Sequence, residues 1–370
     1  MSFSSSMALW GAIHDQSGPP PSIETHFNYW RISGDPEFTR QRKSVAVRDF
    51  LEVGAMVTHP ASLEKLCIYL PFRAEPSSIE DCGPYFKETS VAQGIFNEPL
   101  SCNSLGPPGP ASIELQQNGT PFCRVHRFMP AASGIDQSEL EIQPIDEGTL
   151  ITVSHPAIEA VCRNLRPDTR AYFRLRIYMR EGKDNPFVSV IYPTDHLFQS
   201  GFEEVEYLDF RLNEARTLPT KIEAQIRKDE AKGQIPISLI AFLTAVPIVS
   251  ELAVSNIESH KKRLLEHPIW NDYVPSGIPK GMMVYHWKKL PAQGVANIPD
   301  FSSFVKLRTR RSGLKILLAY LFVAFLFGVF GNLVASGLQY AGGLVFLGSD
   351  VSRTGTDQHA PSPTAPDQVR

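Results

Sequence analysis

Ten histidines and five cysteines are the side chains of this chain best suited to metal or nucleophilic chemistry, and their spacing supports neither. A local zinc site needs paired ligands, as in His-Glu-x-x-His on one helix face or Cys-x-x-Cys in a tight turn. The nearest histidines, His260 and His267, are seven residues apart and read as surface positions of a basic helix, HKKRLLEH. The cysteines stand at 67, 82, 102, 123 and 162, an odd number with no close pair. They read as idle thiols of a reducing compartment. Neither a metal nor a cofactor is expected.

No Gly-x-Ser-x-Gly elbow, phosphate-binding Gly-rich loop or dinucleotide fingerprint is present. Asp195-His196 follows an expected strand at Phe187–Ile191. Adjacent strand side chains point to opposite faces, so the pair reads as a solvated turn. Two acidic groups, Glu203, Glu204, Glu206 and Glu139, Glu141, Asp146, Glu147, offer oxygens to a divalent cation without matching a calcium loop. They read as solvated polar faces. A site assembled from distant residues leaves no local mark. Catalytic residues are therefore unassigned, and the reading leans away from an enzyme.

The strongest pattern is apolar. Ile316 to Gly348 holds no Asp, Glu, Lys, Arg or His. About 20 apolar residues in a helix cross a hydrocarbon core of ~30 Å, so one transmembrane helix is expected at 314–336. The uncharged run is longer than a straight span requires. Residues 337–348 are therefore read as an apolar extension that breaks or tilts at the far interface. Within the span, Ala324, Gly328, Gly331 and Ala335 fall on one narrow helical stripe with Asn332 at its edge. Small residues let helices approach closely and an Asn amide can bond across the contact, so this stripe is the candidate self-association face.

Lys306, Arg308, Arg310, Arg311 and Lys315 crowd the N-terminal side of the span, and only Arg353 and Arg370 follow it. The positive-inside rule puts the N-terminal side in the cytoplasm, and the N-terminal residues lack the look of a signal peptide. The same five bases form a candidate membrane-surface cluster that anionic headgroups would attract. A net charge of −3 is no global footprint for nucleic acid, and none is expected as partner.

The elements that must position any site are mostly strands. KLCIYLPF (65–72) is apolar throughout, as a strand buried on both faces would be. In 172–179, Phe173, Leu175, Ile177 and Met179 alternate with Arg174 and Arg176, the pattern of a half-buried strand. Leu208, Phe210 and Leu212 alternate with Asp209 and Arg211. Further strands are expected at 122–128, 148–153, 187–191 and 282–287, with a long irregular loop at 101–121 around GPPGP. Ile235–Val249 is too short and Pro-broken for a span, and reads as a buried strand or core helix. Thr220 and Glu223 suggest a capping box opening a charged helix.

These patterns predict a mainly β, sandwich or barrel-like cytoplasmic domain with some helix, followed by one C-terminal transmembrane helix. The expected divisions are a disordered leader (1–21), the β-rich domain (22–305, with a sub-boundary near 216–233), the span (314–336), the interfacial extension (337–348) and a disordered tail (349–370). The function they suggest is a single-pass, membrane-anchored binding or sensor module, one version of which is a membrane effector of stress or defence type acting through helix self-association. Its expected partners are the lipid bilayer, a second copy and an unidentified protein or small molecule. A membrane-tethered enzyme and a membrane scaffold are the alternatives.

Overall fold

A computed structural model describes residues 6–14, 18–42, 46–104, 112–132, 134–180, 185–191, 203–310 and 314–350. It is mostly β, with 42% strand and 27% helix, several sheets and one apolar C-terminal helix. The chain divides into two compact units, Met1–Arg310 and Arg311–Arg370.

The first unit is built around a ten-stranded mixed sheet. Its centre is formed by Ile237–Pro247, Ile23–Trp30, Phe50–Val57 and Arg170–Tyr178, side by side in that order. Ile237–Pro247 lies parallel to Ile23–Trp30, and Arg170–Tyr178 parallel to Thr120–Val125; the other pairings are antiparallel. Phe50–Val57 is buried at every position, which is why its sequence does not alternate. Beyond Arg170–Tyr178 the sheet ends in a meander, Leu100–Ser104, Ile113–Gln117 and Thr120–Val125. The last two are joined by Asn118-Gly119, both at positive φ (51° and 79°). Asn-Gly is the pair that a two-residue hairpin turn requires. The irregular loop expected over 101–121 is thus mostly paired strand, and GPPGP lies outside the described residues.

Two four-stranded sheets share one core with this large sheet. One comprises Ala8–Ile13, Leu63–Leu70, Gly148–Val153 and Leu140–Ile145; the other comprises Val188–Ile191, Glu203–Leu212, Phe301–Arg310 and Ser250–Ser255. Phe27, Val53, Phe173 and Phe242 from the large sheet meet Leu66, Ile68 and Ile151 from the first and Leu208, Phe210 and Val305 from the second. Phe210 stacks on Phe242 at 4.4 Å between ring centroids. The sandwich-like expectation is met by this burial of three inner faces against one another.

Several local expectations are corrected. The leader is not all irregular: Ala8–Ile13 is fully buried and pairs with Leu63–Leu70. Six apolar residues between Ser- and Pro-rich flanks were too few to outweigh the flanking composition. Pro219 rather than Thr220 caps the charged helix Thr220–Glu230, with no side-chain capping bond. That helix packs on Ala8–Ile13 through Ile222, so no division falls at 216–233. HKKRLLEH is not a helix; Lys261–Leu264 is an edge strand and the helix starts at His267. The apolar 235–249 stretch is a central strand. The first unit's last strand runs on to Arg310, so a limit at 305 would cut through it.

In the second unit one helix runs unbroken from Leu314 to Asp350. Its most apolar part, Tyr320–Ala341, is 22 residues long with a mean hydropathy of 2.1, about 33 Å at 1.5 Å per residue. It is long and apolar enough to cross a membrane. Of the two alternatives expected after residue 336, a break or a tilt, the break is not seen: the helix continues through Gly337 and the Gly342-Gly343 pair. The polar tail from 351 onward lies outside the described residues.

Candidate functional site

The largest departure from the sequence pattern lies on Arg170–Tyr178. Phe173, Leu175 and Ile177 enter the main core as expected. The opposite face, where alternation placed Arg174 and Arg176 in solvent, is covered. A short 3-10 segment, Gly83–Lys87, and two helices, Thr89–Phe96 and His267–Tyr273, deliver Phe86, Val91, Trp270 and Tyr273 onto it. Both guanidiniums are 0% exposed, as is Glu52 between them.

Isolated buried charge is prohibitive, so every donor must find a partner. Arg174 donates Nη2 to Glu52 (2.6 Å), Nη1 to the Tyr172 hydroxyl (2.9 Å) and Nε to the Tyr273 hydroxyl (3.3 Å). With its amide oriented to suit both neighbours, Asn28 accepts a further bond from Arg174 Nη2 at 2.6 Å. Arg176 donates to Glu52 (3.0 Å), Glu80 (3.2 Å) and the Tyr273 carbonyl (3.2 Å). Its guanidinium also lies over the rings of Tyr273, Phe50 and Tyr85 at 4.6, 4.7 and 5.2 Å. Glu80 accepts from the Tyr85 and Tyr178 hydroxyls at 2.6 and 2.7 Å. Two guanidiniums are thus matched by two carboxylates.

Burial alone would raise the Glu52 carboxyl, but Arg174 and Arg176 outweigh it and hold it below the ordinary range. Burial pushes the Tyr172 hydroxyl up to about 12. Glu52 therefore stays ionised and Tyr172 protonated at neutral pH, and the geometry fits a brace binding the helical cover to the sheet.

A second ion cluster corrects the solvated reading of two acidic residues. Arg31 bonds Asp49 at 2.6 Å and also Glu206, and both carboxylates are buried. Glu139 is buried too, accepting from the Met129 amide (2.9 Å) and lying 3.2 Å from His126 Nε2. Glu141, Asp146 and Glu147 do stay exposed. Among the described residues no group of three or more His, Cys, Asp and Glu could hold a metal ion. All five cysteines are free. Burial raises Cys67 to about 12 and Cys162 to about 11, so these thiols stay protonated at neutral pH. Asp195-His196 lies outside the described residues.

The helix places Ala324, Gly328, Gly331, Asn332 and Ala335 on one exposed face. A Cβ built on Gly328 or Gly331 meets nothing within 4 Å. The basic cluster is only partly described. Lys306 and Arg308 leave the outer face of Phe301–Arg310, with the Lys306 ammonium 5.7 Å from the Tyr207 ring centre and Arg308 exposed. Arg310 ends that strand opposite Glu203. Arg311 and the Lys315 side chain lie outside the description.

Sequence reasoning missed Glu52, Glu80, Arg174, Arg176 and Tyr273 as one assembly. The available signal was the aromatic content of 82–96 and 267–274, which needs a sheet face to cover. No protein-family model matches the chain, and no curated protein matches it.

Proposed function

We propose that the chain is a single-pass, membrane-anchored binding or sensor module whose β-rich unit lies in the cytoplasm and whose helix self-associates. The observation that carries it is the helix Tyr320–Ala341, uncharged over 22 residues with large apolar side chains facing outward all round. A soluble helix of this composition would have to be buried; one that spans a bilayer would not. Basic residues at 306, 308, 310, 311 and 315 against two after the span set the orientation. The β-rich unit is read as the binding part: its buried guanidiniums Arg31, Arg174 and Arg176 are committed to structural ion pairs, while lysines on its surface remain open to a ligand.

Reporter fusions test this reading. A reporter after Arg370 should signal the non-cytoplasmic side and one at the N-terminus the cytoplasmic side. A cytoplasmic signal from both ends would sink the single-span topology.

A further inference from the structure

The helical cover that buries Arg174 and Arg176 stops short of the large sheet's other edge. On Ile23–Trp30, Trp30 is buried against Trp270, whereas Glu24, His26 and Asn28 on the same face reach solvent. Neighbouring strands extend that row in register. Ala241 stands beside His26 and Leu243 beside Asn28. Lys288 stands opposite Ala241, and His286 opposite Leu243. Lys261 stands opposite His286. Their alternates Ile240, Phe242, Tyr285 and Trp287 point into the main core, so these residues share the other face. The result is a part-exposed shelf four strands wide, floored by Leu239, Ala241 and Leu243. Phe96 borders it, with its ring 5.8 Å from that of His26.

The shelf's charge is one-sided. Lys261 and Lys288 are exposed and have no ion-pair partner among the described residues. Nearby Arg263 and Arg170 are matched, by Glu266 at 2.8 Å and Glu24 at 3.5 Å. Arg174 behind His26 is matched by Glu52. The His260 and His286 rings lie 5.9 Å apart. Adjacent strands are ~4.8 Å apart and same-face neighbours ~7 Å along a strand, so the Lys261, His286 and Lys288 head groups can converge on one ligand.

We propose that this shelf binds a phosphate-bearing small molecule. Lys261 and Lys288 take the phosphate oxygens, His286 donates beside them, and Leu239, Ala241 and Leu243 seat the apolar part. A phosphate brings more than one negative charge and three strong acceptors, which answers two unmatched ammoniums; a single carboxylate would leave one unmatched. This rests on reading the unit as a binding module and names its ligand class.

The surrounding charge gives the proposal a second readout. Burial, then Arg174, His286, Arg170 and Lys288, lowers His26 to about 3. Burial, then His260, Lys261, Lys288 and Arg263, lowers His286 to about 4. Both rings are neutral in the empty shelf at neutral pH. A bound anion opposes that cationic field and favours the protonated rings, so the rings' contribution to affinity rises as pH falls.

Isothermal titration of the full-length protein in a neutral detergent, with ATP and inorganic pyrophosphate as probes, tests it. ATP should bind, and more tightly than pyrophosphate because the apolar strip holds its base. Lys261→Gln and Lys288→Gln should each weaken ATP roughly tenfold, while Lys228→Gln on an exposed helix should not. The ratio of wild-type to His286→Asn affinity, in which the phosphate's own titration cancels, should rise as pH falls from about 8 to about 6. No heat with millimolar ATP, or binding indifferent to both lysines, overturns the proposal. So does pyrophosphate matching ATP, or a DNA oligonucleotide outcompeting it through the same lysines. Lost ATP binding with correct topology defeats this inference alone, and failed insertion with retained binding defeats the anchor alone.

Discussion

The strand Arg170–Tyr178 and the helix Tyr320–Ala341 invert the usual partition of side chains in opposite ways. The strand hides two guanidiniums at 0% exposure, and the helix leaves Phe325, Phe327 and Phe330 at 65, 66 and 70% exposure. The strand's inversion is resolved inside the protein, because Glu52, Glu80, Tyr172 and Tyr273 satisfy the charges. The helix's inversion finds no resolution within the chain's described contacts, and the span proposed above would resolve it by replacing water with lipid.

The largest test is aimed at the strand. Arg174→Met keeps most of the volume but strips Glu52 of its 2.6 Å partner. Breaking a buried pair from one side costs about 3–5 kcal/mol, and here Glu52 and Glu80 would be left to share the one guanidinium of Arg176. Denaturant unfolding of the chain ending at Arg310 measures it. Combining Arg174→Met with Glu52→Gln should recover part of the loss, as expected for coupled groups. A loss below about 1 kcal/mol in the single variant would mean that Glu52 and Glu80 can share the Arg176 guanidinium without cost, and the contrast with the helix would fail.

The second test is aimed at the helix. Gly328→Ile keeps the segment apolar, so insertion should survive, while the branched side chain holds a partner backbone away. Phe325→Ile changes another face. In a membrane self-association assay Gly328→Ile should weaken pairing roughly tenfold, about 1.4 kcal/mol, and Phe325→Ile should not. If both variants match wild type or fall together, the small-residue stripe is composition and no contact surface.

How much of this was legible from sequence follows the same divide. The helix was readable because a long uncharged apolar run is a local signal, and the strand ending at Leu212 because its period-two pattern is local. Arg174 and Arg176 were misread because alternation reports only that two faces differ. Whether the polar face meets water or an aromatic lid depends on 82–96 and 267–274, about 80 to 100 residues away. Glu206 was misread likewise, since its partner Arg31 lies 175 residues off. Ala8–Ile13 was lost to the composition of its neighbours, and HKKRLLEH was taken as a helix because its charge pattern masked an edge strand held by Met282–Lys289.

A pH titration sharpens the border between the brace and solvent. His26 lies 3.3 Å from the Tyr172 hydroxyl and is lowered to about 3 by burial and then Arg174. A histidine whose folded value is depressed contributes stability that is full above its unfolded value of about 6.5 and lost as pH falls through that value toward 3. The wild-type unit should therefore lose stability below about pH 6.5. His26→Gln should flatten that slope, by less than 1.4 kcal/mol per pH unit because the ring touches solvent. Glu52 adds to acid loss only at lower pH, as its folded value lies below the ordinary carboxylate range. An unchanged slope in His26→Gln would show that the ring is not held neutral by its surroundings.

The smallest effect is expected where the β-rich unit ends. On Phe301–Arg310 the residues Ser303, Val305, Leu307 and Thr309 are buried, and Arg308 is exposed on the other face. It stands across from Val205 on one side and Glu251 on the other. An exposed cation of this kind contributes little to folding, so Arg308→Gln should change unfolding stability by less than about 0.5 kcal/mol. Its proposed role is toward anionic headgroups, where one cation near the surface contributes about 1 kcal/mol. The chain ending at Arg310 should then sediment with vesicles rich in anionic lipid about fivefold more weakly in the variant, and the difference should vanish in high salt because screening removes it. Equal binding at low salt would leave Arg308 with a part in orientation alone. A stability loss well above the stated limit would mean that its guanidinium holds the small sheet together, and the outer face of that sheet would then belong with the brace.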